Sequence, residues 1–203
     1  MHKEILTKEQ VELFPLLKKV SKKFGLVGGT AIALHIGHRK SIDFDLFSYK
    51  PFNNNEIKRN IAKLIKINKV LVNKLGEFTF FSNNVKVTFY NFPYELQYEE
   101  SLEKQIKIPD LLTLAAMKAF ALGQRAKWKD YVDLYFIIKD FFSIKQILQQ
   151  GKKVFGNEFN AKIFRTQLSY FNDVSHREEV VYKHGFEVSE KEIKKKLTEF
   201  SLE

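Results

Sequence analysis

The stretch from Val27 to Phe47, V-G-G-T-A-I-A-L-H-I-G-H-R-K-S-I-D-F-D-L-F, limits what this chain can fold into more than any other part of it. An apolar run, Phe24 to Val27, leads as a short buried strand into two glycines and a threonine. The stretch closes on the alternation Ile42-Asp43-Phe44-Asp45-Leu46-Phe47. Strand side chains alternate between faces, so Ile42, Phe44 and Leu46 turn one way while Asp43 and Asp45 share the other. Two carboxylates ~7 Å apart at Cα suit a single hard divalent cation. Between the glycines and the carboxylates, Ala-rich spacing predicts a helix over Thr30–Ile36, ended by Gly37. The Gly28-Gly29-Thr30 turn at its start lets backbone N–H groups meet an anion. An anion cradle beside paired carboxylates is equipment for moving phosphoryl or nucleotidyl groups.

The remaining text supplies a scaffold for that stretch. Thr7 and Gln10 form a capping-box pattern that starts an N-terminal helix, and Pro15 breaks or kinks it. Asn55 is a candidate N-cap for a helix bearing Ile57, Ile61, Leu64 and Ile65. Three β-rich runs follow, Asn68 to Leu75, Glu77 to Ser82 and Val85 to Phe92, with hairpin signals at Gly76 and Asn83-Asn84. A polar connection from Gln97 ends in a short strand at Gln105 to Ile108. Pro109-Asp110 then opens a helix that is apolar nearly all round, with Lys118 in its middle. A buried ammonium needs a carboxylate, a phosphate or water. A polar bridge, Gln124 to Asp130, leads into a second helix with the apolar face Tyr131, Leu134, Tyr135 and Ile138. Arg125 and Lys129 share a face if the helix is continuous, while Asp130 and Asp133 read as charges at the first turn. From Ser143 onward the pattern is helical. The expectation is an α+β fold: a small mixed sheet flanked by helices (residues 1–108), closed by a helical C-terminal region (109–203) packed on it.

Composition narrows the chemistry. With no cysteine, thiol catalysis, disulfides and Cys-ligated zinc are excluded, and the five histidines have no zinc spacing. Twenty phenylalanines supply an aromatic core. The net charge of +10 favours a polyanionic partner, nucleic acid first, with a general lysine bias as the bland alternative. No apolar run reaches ~18 residues and no leader pattern opens the chain, so no membrane is expected and the cytoplasm is the expected location.

The run G-G-T followed by H-R-K-S-I-D-F-D-L-F resembles the first motif of nucleotidyltransferase-fold proteins grouped with AbiEii/AbiGii-type toxins. The run K-A-F-A-L-G-Q-R-A-K-W-K-D-Y-V-D-L-Y-F, beginning at Lys118, resembles that family's second signature. The resemblance implies a minimal nucleotidyltransferase that moves a nucleoside monophosphate from a nucleoside triphosphate (NTP) to an acceptor hydroxyl. RNA, with the 3′ end of tRNA foremost, is the implied acceptor, and a toxin role beside a cognate antitoxin is the implied setting. Asp43 and Asp45 would hold Mg²⁺ or Mn²⁺. Gly28, Gly29, Thr30 and Ser41, with Arg39 as either phosphate contact or ion-pair clamp, would face the triphosphate. Lys118 would hold that triphosphate, with Arg125, Lys129 and Asp130 completing the nucleotide site. The family's strand of type V-K-V-D-F carries a third acid, and here it reads Val85-Lys86-Val87-Thr88-Phe89. A threonine hydroxyl carries no charge at neutral pH. Two rivals therefore stay open: a catalytically silent nucleotide- or RNA-binding module, and phosphoryl transfer to a protein.

Overall fold

The computed structural model describes all 203 residues. After a 3₁₀ turn, α1 (Lys8–Glu12) and α2 (Phe14–Val20) lead into β1 (Gly25–Val27), α3 (Gly28–Ile36), β2 (Phe44–Ser48) and α4 (Asn54–Ile61). Next come β3 (Lys69–Lys74), β4 (Glu77–Ser82), β5 (Val85–Asn91), β6 (Glu100–Leu102) and β7 (Ile106–Ile108). The C-terminal part holds α5 (Leu111–Leu122), α6 (Trp128–Asp140), α7 (Ile144–Phe155), α8 (Ala161–Leu168) and α9 (Glu190–Ser201). The fold is α+β, as the pattern of elements predicts.

All seven strands form one mixed sheet in the order β3-β4-β5-β2-β1-β7-β6. The β2/β5 and β1/β7 pairs are parallel and the other neighbours antiparallel. Register sorts the side chains. Phe44 and Leu46 lie beside Val87 and Phe89, which in turn pair with Phe80 and Phe78, and all six are buried. The Phe24 ring meets Phe89 edge-on at 4.9 Å, joining β1 to this aromatic layer. Asp45, Phe47, Thr88 and Tyr90 alternate with these residues and so occupy the opposite face, toward the C-terminal helices.

Several local expectations hold. The Thr7–Gln10 capping box is formed, and Leu13 separates α1 from α2 with Pro15 in the first turn of α2. Gly76, Asn83 and Asn84 have φ of 75°, 47° and 62°, the left-handed conformations tight hairpins need. Others need correction. Asn53, not Asn55, caps α4, accepting from the N–H groups of Asn55 and Glu56. β6 arises within what reads as a polar connection, because pairing with β7 supplies its hydrogen bonds. Ile42 and Asp43 precede β2 rather than beginning it, and Ile42 is half exposed. Arg125 and Lys129 do not share one helix, since the backbone leaves the α-helix after Leu122 and resumes it at Trp128. Residues 169–189 form an extended strap rather than a helix.

That strap is stitched to two loops. Lys40 and Lys183 N–H groups bond the Val181 and His38 carbonyls, while Trp128 and Ser175 N–H groups bond the Ser175 and Ala126 carbonyls. It thereby ties the loop before β2 to the loop before α6. No helix is long and apolar enough to cross a membrane.

Candidate active site

The site begins where β1 turns into α3. Gly28 has φ of +73°, and a Cβ there would sit 2.3 Å from Asp45 Oδ2. A Cβ on Gly29 would sit 2.6 Å from an Arg39 terminal nitrogen. Only glycines allow the helix N-terminus and its N–H groups to come this near the carboxylate strand. The Thr30 hydroxyl donates to the Asp43 carbonyl and lies 2.9 Å from Ser41 Oγ. Gln10 Nε2 donates to the Ser41 carbonyl at 3.0 Å, so α1 also fixes this loop.

Asp43 and Asp45 face one cavity. Lys86 Nζ donates to Asp43 Oδ2 at 2.6 Å. Asp45 has neither a salt bridge nor a side-chain hydrogen bond, and burial, with the neighbouring Asp43 charge, pushes its pKa above the usual carboxylate value. Thr88 pairs in register with Asp45, which puts a hydroxyl where the sequence resemblance leads one to expect a third acid. Glu77 and Glu95 do not line the cavity and cannot replace that acid. An unpartnered, half-buried carboxylate beside a second one is an all-oxygen donor set that fits a hard divalent cation such as Mg²⁺ or Mn²⁺.

Behind the cavity lies a buried ion cluster centred on Asp133, which is 0% exposed. Arg39 grips it in a fork, Nε to Oδ1 at 2.7 Å and the second terminal nitrogen to Oδ2 at 2.9 Å. His38 Nε2 lies 2.9 Å from Oδ1, and Lys118 Nζ lies 3.0 Å from Oδ2. Burial alone would raise the Asp133 pKa, but Arg39 and Lys118 outweigh it and hold it well below the ordinary value. Burial lowers the His38 pKa, so its imidazole is neutral at pH 7 and donates from Nε2. Lys118 also donates to Asp130, whose other oxygen is 3.4 Å from Arg125 Nε.

Toward the opening, Lys127 and Lys129 lie 2.7 and 3.5 Å from the Glu178 carboxylate, carried by the strap. The bond from Lys127 lowers the Glu178 pKa to about 2.

All eleven sequence-derived site residues line a single cavity of about 470 Å³: Gly28, Gly29, Thr30, Arg39, Ser41, Asp43, Asp45, Lys118, Arg125, Lys129 and Asp130. Arg39 takes the ion-pair role of the two open to it, since each guanidinium nitrogen donates within the protein. Asp133 is not a helix-end charge. It is the hub of the buried cluster, and its signal was a lone acid inside the apolar run Tyr131–Phe136. Lys86 was legible from its place two residues before Thr88, on the same strand face. Nothing local marks Glu178, which reaches the site only through the path of the strap.

A glycine turn feeding a helix, carboxylates on the adjacent strand and a basic helical wall across a shared cavity define the nucleotidyltransferase class. The profile described as nucleotidyl transferase AbiEii toxin, type IV TA system, matches residues 16–108. An uncharacterized protein of Aquifex aeolicus is 34% identical over 182 residues, covering 86% of each chain. The chain belongs to the AbiEii nucleotidyl transferase toxin family. Among solved structures, MenT4, a nucleotidyltransferase toxin of Mycobacterium tuberculosis, superposes with a TM-score of 0.61 at 14% identity, covering 94% of this chain and 80% of its own. JHP933 of Helicobacter pylori gives 0.59 at 15% identity, covering 97% and 92%. At such identities these two likenesses speak for the fold alone.

Proposed function

We propose that this protein transfers a nucleoside monophosphate from an NTP to a hydroxyl of RNA, the 3′ end of tRNA foremost, as the toxin of a toxin–antitoxin pair. The observation that carries this reading is Asp45, half-buried and unpartnered, placed beside Asp43 against the N-terminus of α3.

Asp43 and Asp45 would hold Mg²⁺ or Mn²⁺, which supplies charge neutralisation to the triphosphate oxygens. The N–H groups at the start of α3 would donate to phosphate oxygens without reorganising, because Arg39 and the Thr30–Ser41 pair fix that turn. Lys118 keeps one ammonium proton free of Asp130 and Asp133, and Arg125, Lys127 and Lys129 line the way in. The acceptor hydroxyl oxygen attacks the α-phosphorus, the bond to the bridging oxygen breaks, pyrophosphate leaves, and the hydroxyl proton passes to solvent water. Thr88 takes no part in removing the hydroxyl proton, since it is neutral and weakly basic. The +10 charge supports an RNA acceptor. A cognate antitoxin is the partner the family supports, and the cytoplasm is where such an acceptor is met.

Two observations favour a second reading, a nucleotide-binding module without turnover. Thr88 stands for the third acid, and Lys86 neutralises Asp43. Incubation with Mg²⁺, each α-³²P-labelled NTP and total tRNA, beside Asp43→Ala, separates the two. Label on RNA that disappears in the variant is the expected result. Bound nucleotide with no labelled product would establish the silent module. Labelling of protein from γ-³²P substrate alone would instead show phosphoryl transfer.

A further inference from the structure

The floor of the cavity changes chemistry along its strands. Next to the Asp45/Thr88 row comes the register pair Phe47/Tyr90, then Phe92. The Phe47 ring lies 5.2 Å from Tyr90 and 5.0 Å from Phe92, so the three form one connected wall. Met117 and Phe120 of α5 line the same cavity from the helical side. Phe120 is itself fixed by stacking on Phe155 at 4.1 Å, tilted by 8°.

We infer that this aromatic slot holds the base of the donor nucleotide, by stacking of a flat ring rather than by reading its hydrogen-bonding edge. The inference rests on the nucleotidyltransferase reading above. Two residues along a strand advance ~6.8 Å, which matches the reach from an α-phosphate across ribose to a base. A phosphate seated at Asp45 therefore places its base over Phe47 and Tyr90. The volume of about 470 Å³ suits one nucleotide, so the donor occupies the slot and the acceptor approaches from outside. Every base presents a π-face, so stacking here binds all four NTPs with similar strength. Base preference in the product then comes from the chemical step or the acceptor, not from donor affinity.

The test is calorimetric titration of the intact chain, with Mg²⁺, using the four NTPs and inorganic tripolyphosphate. The expected result is that each NTP binds more tightly than tripolyphosphate. Phe92→Leu and Tyr90→Leu should weaken NTP binding roughly ten- to hundredfold and leave tripolyphosphate unchanged. Phe92→Tyr, which keeps a ring, should retain NTP affinity and control for folding. Equal binding of NTPs and tripolyphosphate, with the Asp43→Ala variant binding neither, would overturn the slot and spare the nucleotidyltransferase reading. Leucine variants that keep NTP affinity but lose tRNA would reassign the slot to the acceptor and overturn the inference. Failure of the unmodified protein to bind any of these ligands would overturn both.

Discussion

Asp133 sits among three potential cations with no contact to solvent, so its carboxylate neutralises charges that the fold has already desolvated. Asp133→Ala leaves Arg39 and Lys118 without that counter-charge. A loss of about 3–5 kcal/mol in urea unfolding at pH 7 is expected. Because the folded pKa is depressed, this stabilisation is complete above the unfolded value near 3.8 and is lost as pH falls through the folded value. Asp45 has the opposite sign. Its raised pKa means ionisation opposes folding once pH exceeds 3.8, with the penalty growing until the folded pKa is passed. Asp45→Asn should therefore raise the Tm of the metal-free protein at pH 7, by about 2–4 °C for each kcal/mol relieved. The same variant should lose the Tm increase that Mg²⁺ gives the parent, and with it label transfer. An unchanged or lower metal-free Tm would show that Asp45 is not strained by its surroundings.

At the scale of elements, the β1–α3 turn and the strap position the site from opposite sides. Gly28→Ala must hold φ of +73° with a side chain and push its Cβ into Asp45 Oδ2. The backbone cost is about 1–3 kcal/mol, but the displaced carboxylate should lower activity far more than stability. Measured kcat falling at least tenfold, with the variant still folded by circular dichroism, is the expected outcome. The strap's Glu178 covers two lysines at the mouth of the cavity. Glu178→Gln should strengthen tripolyphosphate binding several-fold at low salt, and the gain should shrink at 1 M salt, where screening acts over about 3 Å. In the parent protein Glu178 stays ionised until the pH approaches 2, so the clamp itself breaks only near that value, while the stability it contributes declines as pH falls from about 4.5 to about 2. An NMR titration of its carboxyl carbon checks this.

At the scale of the molecule, one hydrophobic cluster of 48 buried residues runs from Ile5 to Leu197, so the sheet and the C-terminal helices share a core. Residues 1–108 can be described as a nucleotidyltransferase core, but α3 packs on α5 and α6, which lie beyond it. Unfolding by urea should be a single transition seen identically by tryptophan fluorescence, from Trp128 alone, and by circular dichroism. A fragment ending at Ile108 should show no cooperative transition, since the inner face of α3 would be left bare. Two separated transitions would mean that the parts fold independently.

Elements set by local chemistry were legible in the sequence. Caps, hairpin glycines and asparagines, the Pro15 break and the Asp43/Asp45 alternation act within a few residues, where backbone sterics and spacing decide. Asn53 displaced Asn55 as a cap because only two residues separate equivalent side chains. The strap defeated a reading by pattern, because its hydrogen bonds go to loops more than forty residues away and leave no periodic trace. The glycine turn, carboxylate strand and Lys118 helix each carried their chemistry in sequence. That Arg39 would turn inward to Asp133 depended on α6 packing behind the loop before β2. That Lys86 would neutralise Asp43, and that Phe47, Tyr90 and Phe92 would form one wall, depended on β5 lying parallel beside β2. Strand neighbours forty residues apart are chosen by the packing of the whole core, and only the tertiary structure decides them.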